Sequence, residues 1–468
     1  MRLCLSTAVI GGKLSSLLSR LAGGQGSSLP GLVARRIYPH TLRDLASQVK
    51  KGIIMVTGTN GKTTTNNMIA KVMQAGGHQV IINEEGANMI TGVTACFIRS
   101  ASCTGTIEYD YALLEVDEAS FPKVVNEVKP QVVVVTNFFR DQLDRYGELD
   151  TTVGLVTDTL KKIKDVTLVL NADDPLVAQM GKSTGHNAIY FGIAKEQEDS
   201  GTGGQNKEAR FCAFCNNILN YSYYHYSQLG DYSCENCGFR RPQAHVEAIV
   251  SKLEAGAGAL TTEICYENRC ANISLYTTGF YNLYNALAAF TVGLVMQIEE
   301  HEIQRGLERY TPAVGRMERF RYMDKQVLLN LVKNPTGFNE GLVTMLSLPG
   351  KKNIFMAVND NDADGRDVSW LWEVDFEMLI SEIESINSFF CSGIRAEEMA
   401  LRLKYADVPA DKITVIKDLK QAISCSLQGE VENTYLFTTY TALWPTQKVL
   451  CSLADKEESD AHRMPSVS

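Results

Sequence analysis

Residues 53–65 read IIMVTGTNGKTTT, and this stretch sets the pattern for the rest of the chain. Its first residues are apolar and largely β-branched, which predicts a short buried strand over residues 53–57. A loop with two glycines follows, and it ends in a lysine and a run of hydroxyl side chains. Apolar residues then recur at helical spacing from Met68 to Met73. Strand, glycine loop, lysine and helix follow each other in the order that a phosphate-binding loop requires.

Each residue type in this loop suits phosphate binding. Glycine lets backbone N–H groups approach phosphate oxygens, and the N-terminus of the next helix favours negative charge. The lysine reaches the β- and γ-phosphates of a nucleotide, and the hydroxyl after it can bind Mg²⁺. The glycine spacing is shorter than usual, since position 56 is Val56, and the alternative is a glycine turn in a plain strand–helix unit. The predicted loop residues are Gly58, Thr59, Asn60, Gly61, Lys62, Thr63 and Thr64.

The composition is typical of a soluble globular protein with several domains. The chain has 468 residues, 45% hydrophobic and 21% charged, and a formal net charge of -9 at pH 7. This acidic balance argues against a nucleic-acid-binding surface, so we expect no nucleic-acid partner. No apolar run is long enough to span a membrane, and the apolar start of the chain stops at residues 11–13. We therefore predict a cytoplasmic protein.

The twelve cysteines divide into two groups. Two Cys-x-x-Cys pairs, Cys212/Cys215 and Cys234/Cys237, fit a tetrahedral Zn²⁺ site. A closed set of four thiolates predicts a structural zinc ribbon, and the alternative is a redox-active thiol pair. The other cysteines are scattered, as buried thiols of a reducing compartment are: Cys4, Cys96, Cys103, Cys265, Cys270, Cys391, Cys425 and Cys451.

Strand and helix patterns alternate from residue 53 onward, which predicts an α/β protein with a doubly wound parallel sheet. Strands are expected at 53–57, 79–83, 109–115, 132–136 and 166–171, then at 353–358, 386–391 and 434–438. Helices are expected at 1–22, 41–50 and 395–405, with a loop at 23–31. We predict an N-terminal helical segment, a central domain, a zinc-ribbon insertion within it and a C-terminal Rossmann-like α/β domain: 1–50, 51–315, 205–243 and 316–468.

Polar residues follow several predicted strands, at the edge of a parallel sheet where ligands bind. Glu115 follows the strand at 109–115. Next to a phosphate loop, its carboxylate can hold Mg²⁺ together with the hydroxyl of Thr63. The alternative for Glu115 is a solvated loop acid. Residues 170–175 read as an ordinary strand-to-helix turn, and we assign them no chemistry.

These segments resemble the Mur ligase family, whose members use ATP to activate a carboxylate as an acyl phosphate and couple it to an amine. The likeness rests on the loop at 58–64, on Glu115 and on residues 135–147, 170–175, 278–289 and 315–318. It implies a central P-loop ATPase domain with ATP and Mg²⁺ as cofactors. It also implies that Asn282 and Asn285 bond adenine or ribose, although either could cap a helix. The implied catalytic residues are Lys62, Glu115 and Arg316, with Arg316 at the γ-phosphate.

The chain departs from the family pattern at several positions. Gln142 stands where the family has a histidine near the metal, and its amide oxygen is a candidate Mg²⁺ ligand. No lysine lies where several members carry a carbamylated lysine, so a second Mg²⁺ stays an open question. Asn330 and Lys333 replace an acid and a histidine, and Lys333 is either a phosphate ligand or a surface lysine.

Within the family, the chain is similar to an amidating branch. The features shared with that branch are the short N-terminal segment, Gln142, the Cys₄ insertion and residues 333–335 and 364–370. The resemblance implies a synthetase subunit that amidates the D-Glu α-carboxylate of the lipid II stem peptide to D-isoglutamine in peptidoglycan biosynthesis. The implied partners are a GatD-like glutamine amidotransferase subunit and the lipid II headgroup, with only peripheral membrane contact.

The branch also implies that an acid of the C-terminal loop completes the partner's Cys–His pair. We favour Asp367 for this role, with Asp364 second. The chain itself has no convincing nucleophile-elbow cysteine with a histidine, so ammonia has to come from elsewhere. The alternatives are a conventional Mur or folylpolyglutamate-type amino-acid ligase, and an ATP-binding interaction module without chemistry.

Overall fold

In the computed structural model, two α/β units and a small insertion are built on three sheets. The model describes residues 2–21, 28–83, 86–140, 149–194, 208–253, 260–277 and 279–456. Within these residues the sheets have nine, seven and two strands. The nine-stranded sheet belongs to the central part, the seven-stranded sheet to the C-terminal part, and the two-stranded sheet to the insertion.

The chain opens with three helices, α1 (Arg2–Leu21), α2 (Leu29–Ile37) and α3 (Thr41–Ala46). The first confirms the helix expected at 1–22. The loop expected to extend to residue 31 is wrong at its end, because α2 begins at Leu29. Pro30 lies in its first turn, where a missing backbone N–H costs nothing. No helix among the described residues is long and apolar enough to cross a membrane.

The first sheet has the strand order β11-β10-β9-β6-β5-β4-β1-β3-β2. Strands β1 to β6 and β9 pair in parallel, whereas β9, β10 and β11 pair antiparallel. The five strands expected here are confirmed, and the edge strands beyond β5 were missed. The bounds are β1 (Gly52–Thr57), β2 (Val80–Ile82), β3 (Tyr111–Glu115), β4 (Val132–Val135), β5 (Thr167–Asn171), β6 (Asn187–Ile193), β9 (Val246–Leu253), β10 (Leu260–Tyr266) and β11 (Arg269–Leu275).

Helices cover both faces of this sheet, as the doubly wound prediction requires. Alternate residues of β1 enter different cores: Ile54 and Val56 face one side, and Ile53 and Met55 face the other. This explains why the strand reads as a continuous apolar run. The helices are α4 (Lys62–Ala75), α5 (Ile90–Ser100), α6 (Phe121–Val128), α7 (Leu149–Leu160), α8 (Pro175–Thr184), α9 (Tyr281–Val295) and α10 (Glu300–Glu308).

The insertion is a hairpin of β7 (Asn220–Tyr226) and β8 (Leu229–Ser233), flanked by the two cysteine pairs. It is fastened to the turn after β5. Arg241 Nε donates to Asp173 Oδ1 at 2.6 Å, and the Tyr232 hydroxyl donates to the Ala172 carbonyl oxygen at 3.0 Å. Asp174 caps α8 by accepting from Leu176 N at 2.9 Å. The turn reading for residues 170–175 therefore holds, but this turn also anchors the insertion.

The second sheet has the order β16-β15-β14-β17-β13-β12-β18, with the last two pairings antiparallel. Its strands are β12 (Arg316–Tyr322), β13 (Lys325–Leu331), β14 (Lys352–Ala357), β15 (Ile386–Ser392), β16 (Ile413–Val415), β17 (Asn433–Thr438) and β18 (Asp455–Lys456). Its α-helices are α11 (Pro335–Ser347), α12 (Ala396–Tyr405), α13 (Leu419–Ser426) and α14 (Tyr440–Leu453). All elements expected in this part are confirmed.

The scattered cysteines correct one expectation. Cys265 of β10 and Cys270 of β11 are directly paired in the hairpin and form a disulfide. The assignment of these two residues to reduced thiols is wrong. Cys4, Cys103 and Cys451 are exposed, so the description of the scattered cysteines as buried fails for them as well.

Candidate nucleotide and metal sites

The loop after β1 is shaped by two glycines. Gly58 has φ 120°, and a Cβ there would lie 2.4 Å from Thr136 Oγ1. Gly61 has φ 82° and precedes α4, and a Cβ there would lie 2.2 Å from Asn285 Oδ1. Any other residue would be strained at both positions and would collide with a neighbouring side chain.

The end of β4 holds this loop in place. The Thr59 and Asn60 backbone N–H groups donate to the carbonyl oxygen and to Oδ1 of Asn137, both at 2.8 Å. Thr136 Oγ1 donates to the Asn60 carbonyl oxygen, also at 2.8 Å. Two residues of the predicted segment 135–147 thus support the loop. Gln142 of that segment lies outside the described residues.

Lys62 begins α4 and is buried, with 6% of its surface exposed. Its ammonium donates to the Gly58 carbonyl oxygen at 2.5 Å and to Glu118 Oε2 at 3.2 Å. Glu118 is also buried, so the two charges compensate each other away from water. No local pattern in the sequence marks Glu118 as the partner of Lys62.

Glu115 ends β3 and lies beside Val56 of β1 in the parallel register, which brings it to the loop. Thr63 Oγ1 donates to its Oε2 at 2.7 Å, and Asn88 Nδ2 donates to its Oε1 at 3.2 Å. Asn83 Oδ1 accepts from its backbone N–H at 2.8 Å. A hydroxyl and a carboxylate in contact next to a phosphate loop match the oxygen ligands that Mg²⁺ takes. The two predicted ligands therefore fit the ion.

The asparagines of α9 lie behind the loop. Asn285 Nδ2 donates to Asn282 Oδ1 at 3.0 Å, and Thr65 Oγ1 donates to Asn285 Oδ1 at 3.1 Å. Asn282 Nδ2 donates to Thr277 Oγ1 at 3.1 Å. Asn285 lines a cavity, whereas Asn282 lies behind it and orients its amide. Neither amide caps α9, whose N-cap residue is Phe280.

Arg316 opens β12 at the junction of the two α/β units. Gly315 N donates to Glu318 Oε2 at 3.1 Å, while Glu318 Oε1 binds Gln447 at 2.9 Å and Lys456 at 2.7 Å. The buried Glu318 carboxylate therefore fixes the turn from which Arg316 projects. Glu318 belongs to the segment 315–318, in which the sequence analysis assigned a role to Arg316 alone.

Two cavities lie between the loop and the C-terminal unit. The larger, of about 320 Å³, has Lys62, Thr63 and Glu115 on one wall and Lys333 and Trp444 on the other. This volume is within the range of small-molecule sites. The smaller, of about 70 Å³, is lined by Thr64 and Asn285 and faces the start of α11. Arg316 and Lys333 line both cavities.

A pair of amides joins the loop to the C-terminal unit. Asn334 Nδ2 donates to Asn60 Oδ1 at 2.9 Å, and Asn60 Nδ2 donates back to Asn334 Oδ1 at 3.4 Å. Asn334 also caps α11 by accepting from Gly337 N at 2.8 Å. One turn further along α11, Glu340 lines the smaller cavity, and burial raises the pKa of its carboxyl to about 8.

The four cysteines of the insertion converge. Their sulfur atoms all lie within 4.8 Å of one another, with Cys212 and Cys237 3.5 Å apart and Cys215 and Cys234 3.4 Å apart. A tetrahedron with Zn–S bonds of about 2.3 Å has edges of about 3.8 Å. The four-sulfur set therefore fits a structural zinc ion.

Comparison with known proteins agrees with this geometry. Residues 56–293 match the Mur ligase middle domain, and residues 331–443 match the MurT ligase C-terminal domain. Over 439 residues the chain is 40% identical to the MurT subunit of lipid II isoglutaminyl synthase (glutamine-hydrolyzing) from Staphylococcus aureus (strain N315), covering 94% of this chain and 96% of that protein. The chain belongs to the MurT family of Mur ligases. It is therefore an ATP-dependent ligase.

Two more proteins define how far the likeness extends. The MurT subunit from Streptococcus pneumoniae (strain ATCC BAA-255 / R6) is 35% identical over 93% of this chain and 94% of its own length. A pseudomurein peptide ligase type C from Methanothermus fervidus superposes with a TM-score of 0.67 at 22% identity, covering 87% of this chain and 80% of that protein. The second likeness shows that the fold is shared with peptide ligases.

The acidic C-terminal loop of this MurT-family chain separates the two candidate acids. Asp364 is buried, accepts from Thr441 N at 2.7 Å and also binds the Thr441 hydroxyl. Asp367 is partly exposed, and hydrogen bonds from the Ser369 hydroxyl and backbone N–H lower the pKa of its carboxyl. Asp364 therefore holds the loop to α14, while Asp367 presents a charged carboxylate at the surface. Two other acids of the loop form ion pairs, Asp360 with Arg395 and Asp362 with Arg366.

Proposed function

We propose that this chain uses ATP to activate the D-Glu α-carboxylate of the lipid II stem peptide and that ammonia then displaces the phosphate, giving D-isoglutamine. The likeness over 439 residues to the S. aureus synthase subunit carries this proposal. The larger cavity supports it, since the phosphate loop and Glu115 face Lys333 of the C-terminal unit across it. The reaction belongs to peptidoglycan synthesis, on the cytoplasmic side of the membrane that holds the lipid substrate.

In this proposal, the loop residues and the two asparagines bind ATP. Backbone N–H groups of residues 61–64 hold the phosphates, because those of Thr59 and Asn60 donate to Asn137 and shape the loop. Asn285, oriented by Asn282, bonds adenine or ribose. Lys62 exchanges its bonds to Glu118 and the loop carbonyls for the β- and γ-phosphates. Such an exchange keeps a negative partner within reach of the ammonium throughout.

Thr63 and Glu115 hold Mg²⁺, which supplies charge neutralisation for the phosphoryl group when bound. Arg316 approaches the γ-phosphate, where its guanidinium offsets charge on the transferring group. The carboxylate oxygen of the substrate attacks phosphorus and the bond to ADP breaks. Ammonia then attacks the acyl carbon, inorganic phosphate leaves, and a proton is lost from nitrogen. Zn²⁺ in the four-cysteine site takes no part in these steps, because a closed Cys₄ shell has no open position.

We infer that a GatD-like glutamine amidotransferase subunit supplies the ammonia. The S. aureus and S. pneumoniae relatives are MurT subunits of a glutamine-hydrolyzing lipid II isoglutaminyl synthase. The partly exposed and charged carboxylate of Asp367 supports a role in orienting the histidine of the partner's Cys–His pair. Asp364 is a poorer candidate because its carboxylate oxygens are bonded to Thr441.

The test is amidation of lipid II with ATP and either ammonium or glutamine, in the presence and absence of the partner. Ammonium is expected to support amidation by this chain alone, and glutamine only with the partner. Ligation of an added amino acid, with no product from either nitrogen source, would establish the conventional-ligase alternative instead.

Asp367→Asn is expected to lower the rate of glutamine-dependent amidation by roughly a thousandfold or more. The rate of ammonium-dependent amidation is expected to be unchanged. The neutral amide keeps the shape of the side chain but cannot stabilise an imidazolium ion. The matched control is Asp362→Asn, which changes an exposed acid of the same loop. Equal loss with both nitrogen sources would show that Asp367 acts within this chain.

Asn334→Asp is expected to raise KM for ATP by about threefold to tenfold, because one hydrogen bond to the phosphate loop is lost. An aspartate still caps α11 but cannot donate to Asn60 Oδ1. Steady-state kinetics and thermal unfolding are measured together. The control is Asn339→Asp on the same helix, whose side-chain oxygen accepts from Asp375 N, a bond that an aspartate keeps. An unchanged KM in Asn334→Asp would exclude the amide pair as a positioning contact.

A further inference from the structure

The first two helices form a layer on the outside of the central unit, which we call the N-terminal platform (α1 and α2). Its inner face is buried, with Leu5, Ala8, Val9, Gly12 and Ser16 following the helical repeat. This face packs on α2, and α2 packs closely on α5: a Cβ on Gly31 would lie 1.8 Å from the Thr91 carbonyl oxygen. The inner face alone therefore accounts for how α1 is held.

The outer face of the platform is apolar and exposed. On α1 the exposed side chains are Leu3, Ile10, Leu14, Leu17, Leu18 and Leu21, with exposed fractions of 85%, 44%, 57%, 56%, 66% and 78%. Their spacing places them on one side of the helix, opposite the buried side. On α2, Leu29, Leu32 and Ile37 are exposed by 43%, 46% and 44%. Nine large apolar side chains exposed on two packed helices are typical of an interaction site rather than of ordinary surface.

The charged residues of the platform itself are all basic. Residues 1–43 contain no Asp or Glu, although the whole chain has a formal net charge of -9. The basic residues of this stretch are Arg2, Lys13, Arg20, Arg35, Arg36 and Arg43. Of these, Arg35 is neutralised by Glu127 at 2.8 Å, while Arg36 and Arg43 are exposed. An apolar helix face with only basic charges complements an anionic lipid surface.

The platform also lies close to the larger cavity. Helix α5, on which α2 rests, begins directly after Asn88 and Met89, and both of these residues line that cavity. Met89 is also 55% exposed. A bilayer in contact with α1 would therefore lie near the N-terminal end of α5, where the cavity is lined by Asn88 and Met89.

We propose that the N-terminal platform docks the chain on an anionic lipid bilayer, with α1 lying along the interface and its outer leucines inserted among the lipids. This goes beyond the proposed function, in which the lipid substrate is the only membrane contact. The basic charge favours the bilayer over a second copy of this acidic chain, because the exposed patch has no acidic residue of its own to pair with those cations in a symmetric contact.

The experiment is co-sedimentation of the full chain with vesicles that contain no lipid II. One set contains equal parts of phosphatidylcholine and phosphatidylglycerol, and the other contains phosphatidylcholine alone. Binding is expected to the first set, to be weaker to the second, and to fall as salt is raised. The triple variant Leu14→Ser, Leu17→Ser and Leu18→Ser is expected to lose vesicle affinity by about tenfold or more, because it removes the inserted side chains.

The matched control changes three exposed apolar residues away from the platform, Met323→Ser, Ile394→Ser and Leu401→Ser, and is expected to bind like the unchanged chain. Absence of binding to anionic vesicles, or equal loss in the control, would overturn the proposal. So would vesicle binding that survives in the platform variant while self-association or binding of the glutaminase is lost. Amidation of detergent-solubilised lipid II is measured separately: it is expected to be unchanged in the platform variant, and its absence in all variants would refute the proposed function alone.

Discussion

Glu115→Ala is expected to lower Mg²⁺-dependent ATP turnover by roughly a hundredfold to a thousandfold while the chain stays folded. The carboxylate lies at the end of β3, where Thr63 and Asn88 bind its two oxygens. Removing it deletes the charged ligand of the proposed Mg²⁺ site and leaves the strand intact. Because Asn83 binds the backbone of Glu115 rather than its side chain, the end of β3 stays in position.

Turnover is measured as a function of Mg²⁺ concentration, together with thermal unfolding. Glu108→Ala is the control, since it removes an exposed carboxylate from the segment before the same strand. Unchanged ATP turnover of the variant at low Mg²⁺ would exclude Glu115 as a ligand of the ion. Loss of turnover with a large fall in melting temperature would instead assign it a structural role.

The phosphate loop could be predicted from sequence because its information is local. Gly58 and Gly61 stand where the backbone needs positive φ, and Lys62 and Thr63 follow at fixed positions on the next helix. The same holds for buried parallel strands such as β1 and β4, whose apolar runs are short and bounded by polar turns. Residues whose role depends on their own neighbours in the chain are visible in this way.

The contacts that complete the site depend on residues distant in sequence. Asn88 reaches Glu115 because β2 lies beside β3, and Glu118 reaches Lys62 because β3 lies beside β1. Asn334 reaches Asn60 only because the two units contact each other. A single asparagine or glutamate has no sequence pattern that predicts a hydrogen-bond partner distant in the chain. Asparagines are common turn residues, which is how a sequence reading treats them.

The edge of the first sheet was missed for a different reason. Strands β9 to β11 are antiparallel, and β10 alternates buried and half-buried residues rather than forming an apolar run. Buried parallel strands are recognised by a continuous apolar run, and this alternating pattern lacks one. The disulfide of Cys265 and Cys270 was missed for the same reason, because only the register of β10 and β11 brings the two residues opposite each other.

Cys234→Ser is expected to release zinc from the chain and to lower the melting temperature by roughly 10 °C or more. The insertion has a small apolar core of its own, built around Leu219, Tyr232 and Phe239, and such a core is too small to hold the fold unaided. Zinc content by mass spectrometry and thermal unfolding measure the two effects. Chelation of the unchanged chain is expected to have the same consequence.

Loss of zinc is also expected to raise KM for ATP, because Asp173 connects the four-cysteine insertion to the predicted nucleotide site. Asp173 binds Arg241 of the insertion at 2.6 Å and accepts from the Tyr284 hydroxyl of α9 at 2.8 Å, next to Asn285. Cys451→Ser, which changes an exposed thiol in α14, is the control and is expected to alter neither zinc content nor stability. A Cys234→Ser chain with full zinc content would exclude the four-cysteine site. Zinc loss with an unchanged melting temperature and an unchanged KM for ATP would show that the ion supports neither the fold nor the nucleotide site. The contacts of Asp173 would then persist without zinc.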